Sequence, residues 1–354
     1  ESDTVQQVAS TRLRWRASDA LTVTATAGRS DDQSDDAKDG TATGFFETRR
    51  DQASLQADLR AGGALLTAGF DWLRDGVDSS EAYDVGQRIN RGAFAQWQQA
   101  VGAHSLQASV RRDEDDQFGG QTTGSALWGW DATRALRVTA SAGTAYKAPS
   151  FNELYYPFFG NPGLQPETSR SVELGLRGTH GWGGWTLGAY DTRIDDLIAY
   201  DSTPAPDRPF GRPNNIERAR IRGVEATASA TLAGWDVSAN ANWLDPRNDS
   251  GPLRDRLLPR RARHSGRIDV DRRFGDVSVG ASVTGTGERY DNPGNTVRLG
   301  GYATTDLRVG YALSPAWRLQ VSANNVFDRE YETAAYYRQL GRNYLVTLRY
   351  RPVE

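Results

Sequence analysis

Three histidines, His104, His180 and His264, are the only imidazoles in the chain. They lie far apart and none sits in an HExxH arrangement, so no zincin-type metal centre is encoded. Surface or loop placement is the plainer reading of all three. Ser105 and Ser265 directly follow His104 and His264, but adjacent residues of a strand point to opposite faces, which argues against a Ser–His nucleophile pair. Cysteine is absent, which excludes disulfides, thiolate zinc sites and cysteine nucleophiles. Glu173 and Glu225 fall on the polar faces of expected strands; paired carboxylates could serve glycoside hydrolysis, and two solvated side chains are the simpler account. Asp31, Asp32, Asp35, Asp36 and Asp39 precede Gly40. Oxygen-rich loops suit calcium, which makes Asp31, Asp35 and Asp39 candidates for that ion. The stretch DDQSDDAKDG nevertheless misses the regular DxDxDG spacing with a distant Glu, and a solvated acidic loop fits it better. Arg254, Arg256, Arg260, Arg261 and Arg263 form a basic stretch able to donate to phosphate or amide oxygens.

The elements that must carry these residues are strands. From Leu21 the odd positions read Leu21, Val23, Ala25 and Ala27, with Thr22, Thr24 and Thr26 between them. Leu136–Ala142, Trp235–Trp243, Val277–Val283 and Tyr344–Tyr350 repeat the pattern. Period two gives each segment one apolar and one polar face, whereas a helix would spread the same residues around its circumference. No apolar run reaches the roughly 18 residues a transmembrane helix needs, so a membrane span here has to be a closed barrel. The net charge of −3 creates no field that points to nucleic acid. The chain contains no Met and opens on Glu1-Ser-Asp-Thr, which is neither a translation start nor a signal peptide.

Connections alternate between two lengths. Short ones are expected at Ala17–Ala20, Ala61–Gly63, Val101–Ala103, Asp131–Arg134, Thr179–Gly183, Leu232–Gly234, Arg272–Gly275 and Leu313–Ala316. Long polar ones are expected at Ser30–Gly44, Asp75–Arg88, Arg112–Gln121, Tyr146–Thr168, Tyr200–Asn214, Asp245–Leu257, Gly285–Val297 and Asp328–Leu340. Short turns on one side and long loops on the other are the habit of outer-membrane barrels. The fold class is therefore all-β, a transmembrane antiparallel barrel with about 17 strands present. Bacterial barrels have even strand numbers, so the odd count implies a chain cut inside a long loop at its N-terminus. Most tryptophans lie beside the short turns, where an indole meets the headgroup level.

Three stretches carry a family likeness: GTAYKAPSFNELYYPFFGNPGLQPET at Gly143–Thr168, NNIERARIRGVEATAS at Asn214–Ser229, and NVFDREYETAAYYRQLGRNY at Asn325–Tyr344. GFDW at Gly69–Trp72, RRDEDDQFG at Arg111–Gly119 and LLPRRA at Leu257–Ala262 add to it. The chain resembles the TonB-dependent receptors, most closely those that import cobalamin (vitamin B12). The resemblance implies the C-terminal part of a barrel of roughly 22 strands, with a plug domain, its TonB box and about five strands lying upstream. Without those strands two sheet edges stay open, and the fragment alone is not expected to form a sealed barrel. It implies a transporter rather than an enzyme, cobalamin as ligand, TonB–ExbB–ExbD as the energy-supplying partners, and outer-membrane lipid and lipopolysaccharide as surroundings. Arg260 in LLPRRA matches an arginine that contacts the corrinoid, and Tyr337 matches a ligand-facing tyrosine of the last loop. Tyr290, in GERYDN, stands in a shared motif, though its loop is shorter than the family's. Gly44, with Thr43 beside it, stands where the family has a contacting threonine. A loop-packing tyrosine and a solvated or lipopolysaccharide-facing arginine are the plainer readings of Tyr337 and Arg260. A siderophore or other metal-chelate receptor is the alternative within the class, and a passive porin the alternative outside it. Tyr350 would be the terminal aromatic of such a barrel, yet Arg351-Pro352-Val353-Glu354 follow it.

Overall fold

The computed structural model describes residues 2–201 and 211–352. Part of the expected connection Tyr200–Asn214 lies outside them. The chain forms two compact units, one of residues 1–130, 140–172 and 193–218, the other of residues 131–139, 173–192 and 219–354. Among the described residues, seventeen strands belong to one hydrogen-bonded sheet.

In the first unit, β1 (Ser2–Arg16), β2 (Leu21–Lys38), β3 (Thr41–Ala61), β4 (Ala64–Ser79), β5 (Gln87–Val101), β6 (His104–Asp115) and β7 (Gly119–Asp131) pair antiparallel in chain order. The short helix α1 (Phe151–Tyr155) also lies in this unit, while β8 (Leu136–Lys147), β9 (Glu167–His180), β10 (Gly183–Asp201) and β11 (Arg212–Leu232) are each divided between the two units. The second unit adds β12 (Trp235–Asn248), β13 (His264–Phe274), β14 (Val277–Thr286), the two-residue β15 (Arg289–Tyr290) and β16 (Arg298–Leu299), and β17 (Tyr302–Ala312). It ends with β18 (Trp317–Asn324), the small β19 (Glu332–Ala334) and β20 (Tyr337–Arg338), and β21 (Asn343–Tyr350). Here the antiparallel neighbours are β11, β12, β13, β14, β17, β18 and β21.

Register converts the period-two sequence into two chemically distinct faces. In the first unit Trp15, Val23, Ala57, Ala68, Ala95 and Val110 stand opposite one another across six strands. The next row, on the other face, is Thr22, Asp58, Thr67, Gln96, Ser109 and Ser125. That row is stitched by side chains: Thr67 Oγ1 donates to Asp58 at 2.7 Å, and the Ser109 and Ser125 hydroxyls lie 2.8 Å apart. In the second unit Ala230, Val237, Val270, Ala281, Leu307, Ala323 and Tyr344 make the apolar row. A one-residue slip would reverse both faces, so register is strongly specified.

Among the described residues, the apolar faces of the strands stay largely exposed. Leu13 is 68% exposed, Ile268 52% and Val346 65%. The buried apolar side chains, Leu154, Leu164, Leu197, Ala219, Leu258 and Leu299, all lie in or beside the long connections. A soluble sandwich would bury the strand faces and expose the loops. No described helix is long and apolar enough to cross a membrane.

Three expected long loops are shorter than their polarity suggested. Ser30–Gly44 is not a loop: β2 runs to Lys38 and β3 starts at Thr41, joined at Asp39–Gly40. Both residues have positive φ, 52° and 76°, the conformation of a two-residue hairpin turn that Asp-Gly favours. Arg112–Gln121 likewise reduces to residues 116–118 between β6 and β7. β4 extends to Ser79, which shortens the Asp75–Arg88 connection from its front. A hairpin polar on both faces carries no apolar alternation, so period two could not reveal it.

Candidate functional site

Three connections of the second unit come together: residues 249–263 after β12, 287–301 after β14 and 325–342 after β18. Each carries one of the residues expected to meet a ligand. Arg260 sits in the first with a left-handed backbone, φ 58°, and its N–H donates to the Tyr290 carbonyl at 2.6 Å. Its guanidinium Nε donates to Asp291 Oδ1 at 2.8 Å and Nη2 reaches Oδ2 at 3.4 Å. Asp291 Oδ1 also accepts the Ala335 backbone N–H at 3.1 Å, so one carboxylate ties all three connections. The neighbouring guanidinium pulls the Asp291 carboxyl below its ordinary value, and the Ala335 N–H helps while partial burial opposes.

Two further clasps hold the assembly. Asn295 takes the Leu257 N–H on Oδ1 at 2.7 Å and donates Nδ2 to the Leu257 carbonyl at 2.8 Å. Arg289 is buried; it donates to the Glu332 carbonyl at 2.8 Å and lies over the Tyr302 ring, which stacks on Tyr331 at 4.0 Å. Leu258 and Leu299, in the same connections, are buried. Tyr336, on the turn joining β19 to β20, and Tyr337, the first residue of β20, are 93% and 70% exposed. An exposed guanidinium edge and exposed phenol rings on a braced platform suit binding of a large ligand bearing amide or phosphate oxygens. The structure brings Arg260, Tyr290 and Tyr337, named from the sequence, onto neighbouring connections, and adds Asp291, Asn295 and Arg289, which sequence reasoning did not name. Asp291 and Asn295 sit in the turn-forming run DNPGN directly after Tyr290, a signal that was available.

Thr43 belongs to the first unit. Asp36 pairs with Gly44 and Ala37 with Ala42, so Thr43 is the exposed extra residue of a β-bulge. The calcium candidates do not converge. Asp31 accepts Arg49 Nε at 2.7 Å and Asp35 accepts Gln33 Nε2 at 2.9 Å, while Asp39 occupies the hairpin turn. The reason is that the expected loop is a strand, which spaces Asp31 and Asp35 four residues apart along an extended backbone. Among the described residues no group of three or more His, Asp or Glu side chains could hold a metal ion. His104 and His180 accept indole N–H groups from Trp128 and Trp185, each at 3.2 Å.

The first unit has its own braced connection, between β8 and β9. Ser150 and Glu153 form a reciprocal capping box at the start of α1. Arg88 reaches in from β5, donates to the Pro149 carbonyl at 2.8 Å and lies between the Phe118 and Phe151 rings. Its charge faces the buried Asp115 at 3.6 Å. Tyr83 donates to Asn152 Oδ1 at 2.6 Å. S-x-x-E is a known helix-start signature, so this element was legible at Ser150.

Residues 1–326 match the family described as TonB dependent receptor-like, beta-barrel. The chain belongs to the TonB-dependent receptor β-barrel family. This is a transporter and receptor family of the Gram-negative outer membrane, so the two sheet faces meet lipid and an aqueous interior respectively. A relative named vitamin B12 transporter BtuB, from Photobacterium profundum, is 30% identical over 92% of this chain and 54% of its own length. The protein of that name from Vibrio vulnificus is 33% identical over 91% of this chain and 54% of its own. The chain thus spans about half the length of the curated relatives it matches. Among solved structures, a mutant of the ferric enterobactin receptor PfeA from Pseudomonas aeruginosa superposes with a TM-score of 0.81 at 19% identity, covering 99% of this chain and 62% of that one. The copper transporter OprC gives 0.81 at 19%, covering 98% and 65%. At that identity the structures speak for the fold alone.

Proposed function

We propose that the protein to which this chain belongs imports cobalamin actively across the outer membrane. The chain supplies the strand-rich wall and extracellular loops, and a plug with a TonB box supplies the gate that TonB–ExbB–ExbD works. The observation that carries this reading is the identity to proteins named BtuB, 30% and 33% over nearly the whole chain, against 19% for the enterobactin receptor. The loop assembly supports it, because Arg260, Tyr290 and Tyr337 stand on connections joined through Asp291. Arg260 donates to corrinoid amide or phosphate oxygens and the tyrosines cover its apolar faces. Transport of this kind is binding followed by mechanical opening, so no residue is assigned a catalytic role.

Equilibrium binding of cyanocobalamin to the full-length protein tests the assignment. Tight binding that weakens at least tenfold in Arg260→Ala is expected. Uptake of a ferric chelate without corrinoid binding would overturn it and favour a metal-chelate receptor, the reading that the fold neighbours PfeA and OprC represent.

A further inference from the structure

The lipid-facing side of the second unit is not uniformly studded with side chains. Between β11 and β14 it has an open apolar depression of about 470 Å³ lined by Val224, Ala226, Ala241, Trp243, His264 and three glycines, Gly266, Gly285 and Gly287. Register explains the hollow. Val224 opposes Trp243 and Trp243 opposes His264, while Ala226 opposes Ala241, Ala241 opposes Gly266 and Gly266 opposes Gly285. The floor is therefore one row of residues with a methyl group or nothing beyond Cα. At Gly285 a Cβ would meet no atom within 4 Å.

Two residues further toward the long connections, on the same face, lies a charge cluster. Asp245 is the cross-strand partner of Arg222. Its buried carboxylate accepts Arg222 Nη2 at 2.9 Å and Arg247 Nε at 2.8 Å, and Arg263 stands 3.5 Å away. Three guanidinium groups thus surround one carboxylate, and all three keep part of their surface exposed. Arg263 Nε is buried without a hydrogen-bond partner. The next arginine along β11, Arg220, is taken up by Asp191 and does not draw on Asp245. A positive surplus at headgroup height, directly above an apolar hollow with no side chains, presents the two halves of an amphiphile's shape.

We infer that Arg222, Arg247 and Arg263 with the groove over Ala226, Ala241, Gly266 and Gly285 form a binding site for a phosphorylated acyl lipid of the outer leaflet. The guanidinium groups take the headgroup phosphate by charge-assisted, bidentate hydrogen bonds. One acyl chain lies in the groove against Trp243 and Val224. Asp245 aligns the arginines and limits their mutual repulsion while leaving a surplus for the phosphate.

Native mass spectrometry of the full-length receptor in detergent tests this, with lipid A as the phosphorylated probe and dephosphorylated lipid A and inorganic phosphate as comparators. The expected result is bound lipid A, with affinity reduced at least tenfold by Arg222→Gln with Arg247→Gln and at least fivefold by Gly285→Leu, whose Cβ meets no atom within 4 Å and whose side chain occupies the groove. Dephosphorylated lipid should bind at least tenfold more weakly, and inorganic phosphate should not displace the intact lipid. Heat-modifiable migration of each variant on gels confirms that it is folded. Wild-type affinity in folded Gly285→Leu, equal binding of the dephosphorylated lipid, or full displacement by inorganic phosphate would each overturn the site.

Discussion

Asp291 decides how the three connections after β12, β14 and β18 are held. Its side chain is 17% exposed and has charged and backbone donors from two other connections. Hydrogen bonds to a charged group contribute about 1.5–3 kcal/mol, so their loss should be felt locally rather than globally. Asp291→Asn is expected to raise amide exchange in residues 256–262 and 332–339 by at least about tenfold, with the strands unchanged, and Asp291→Glu should restore part of the protection. A uniform change across the chain would refute the hub. The pH dependence has a definite sign. Because Arg260 holds the Asp291 carboxyl below its ordinary value, the contact is fully present above about pH 4 and is lost as pH falls through the lowered value. Protection of the 256–262 segment should therefore persist at pH 5 and disappear only in stronger acid, as exchange at stepped pH would show.

At the scale of single elements, the connection between β8 and β9 depends on one arginine. Arg88 is charged, nearly buried and shared between Pro149, two phenyl rings and Asp115. Arg88→Ala leaves Asp115 buried without that partner, a change of several kcal/mol in buried pairs, about 3–5. Limited proteolysis within residues 148–166 should quicken by at least about tenfold, with cleavage elsewhere unaffected. If that segment stays resistant, α1 is held by its capping box and by Leu154 and Leu164 rather than by Arg88.

For the whole molecule, the question is which solvent each face meets. Leu55 is 55% exposed on the face that carries Val23, Ala57 and Ala68, while Thr24 lies on the opposite face. In the full-length protein, Leu55→Arg should destabilise the folded form in vesicles by about 2–4 kcal/mol, and Thr24→Arg by far less. Denaturant titration of the heat-modifiable species reads the difference. Equal penalties at the two positions would contradict an apolar face in lipid.

Residue order alone dictated the strand alternation, the short turns, the two-faced sheet and the likeness to outer-membrane receptors. It could do so because side-chain direction in a strand repeats every two residues and is written directly along the chain. Arg260, Tyr290 and Tyr337 were named from the family likeness of the stretches that hold them. What joins them came only with folding. Asp291 is 31 residues from Arg260 and 44 from Ala335 in sequence, and no periodicity encodes a clasp across three connections. The same holds for the acidic stretch at Asp31–Asp39, whose polarity suggested a loop. Pairing with β3 and the Asp39–Gly40 turn made it a hairpin, because backbone hydrogen bonding is indifferent to whether the side chains are wet. The groove over Gly285 is likewise a product of register, since small residues far apart in the chain line up only once four strands have paired.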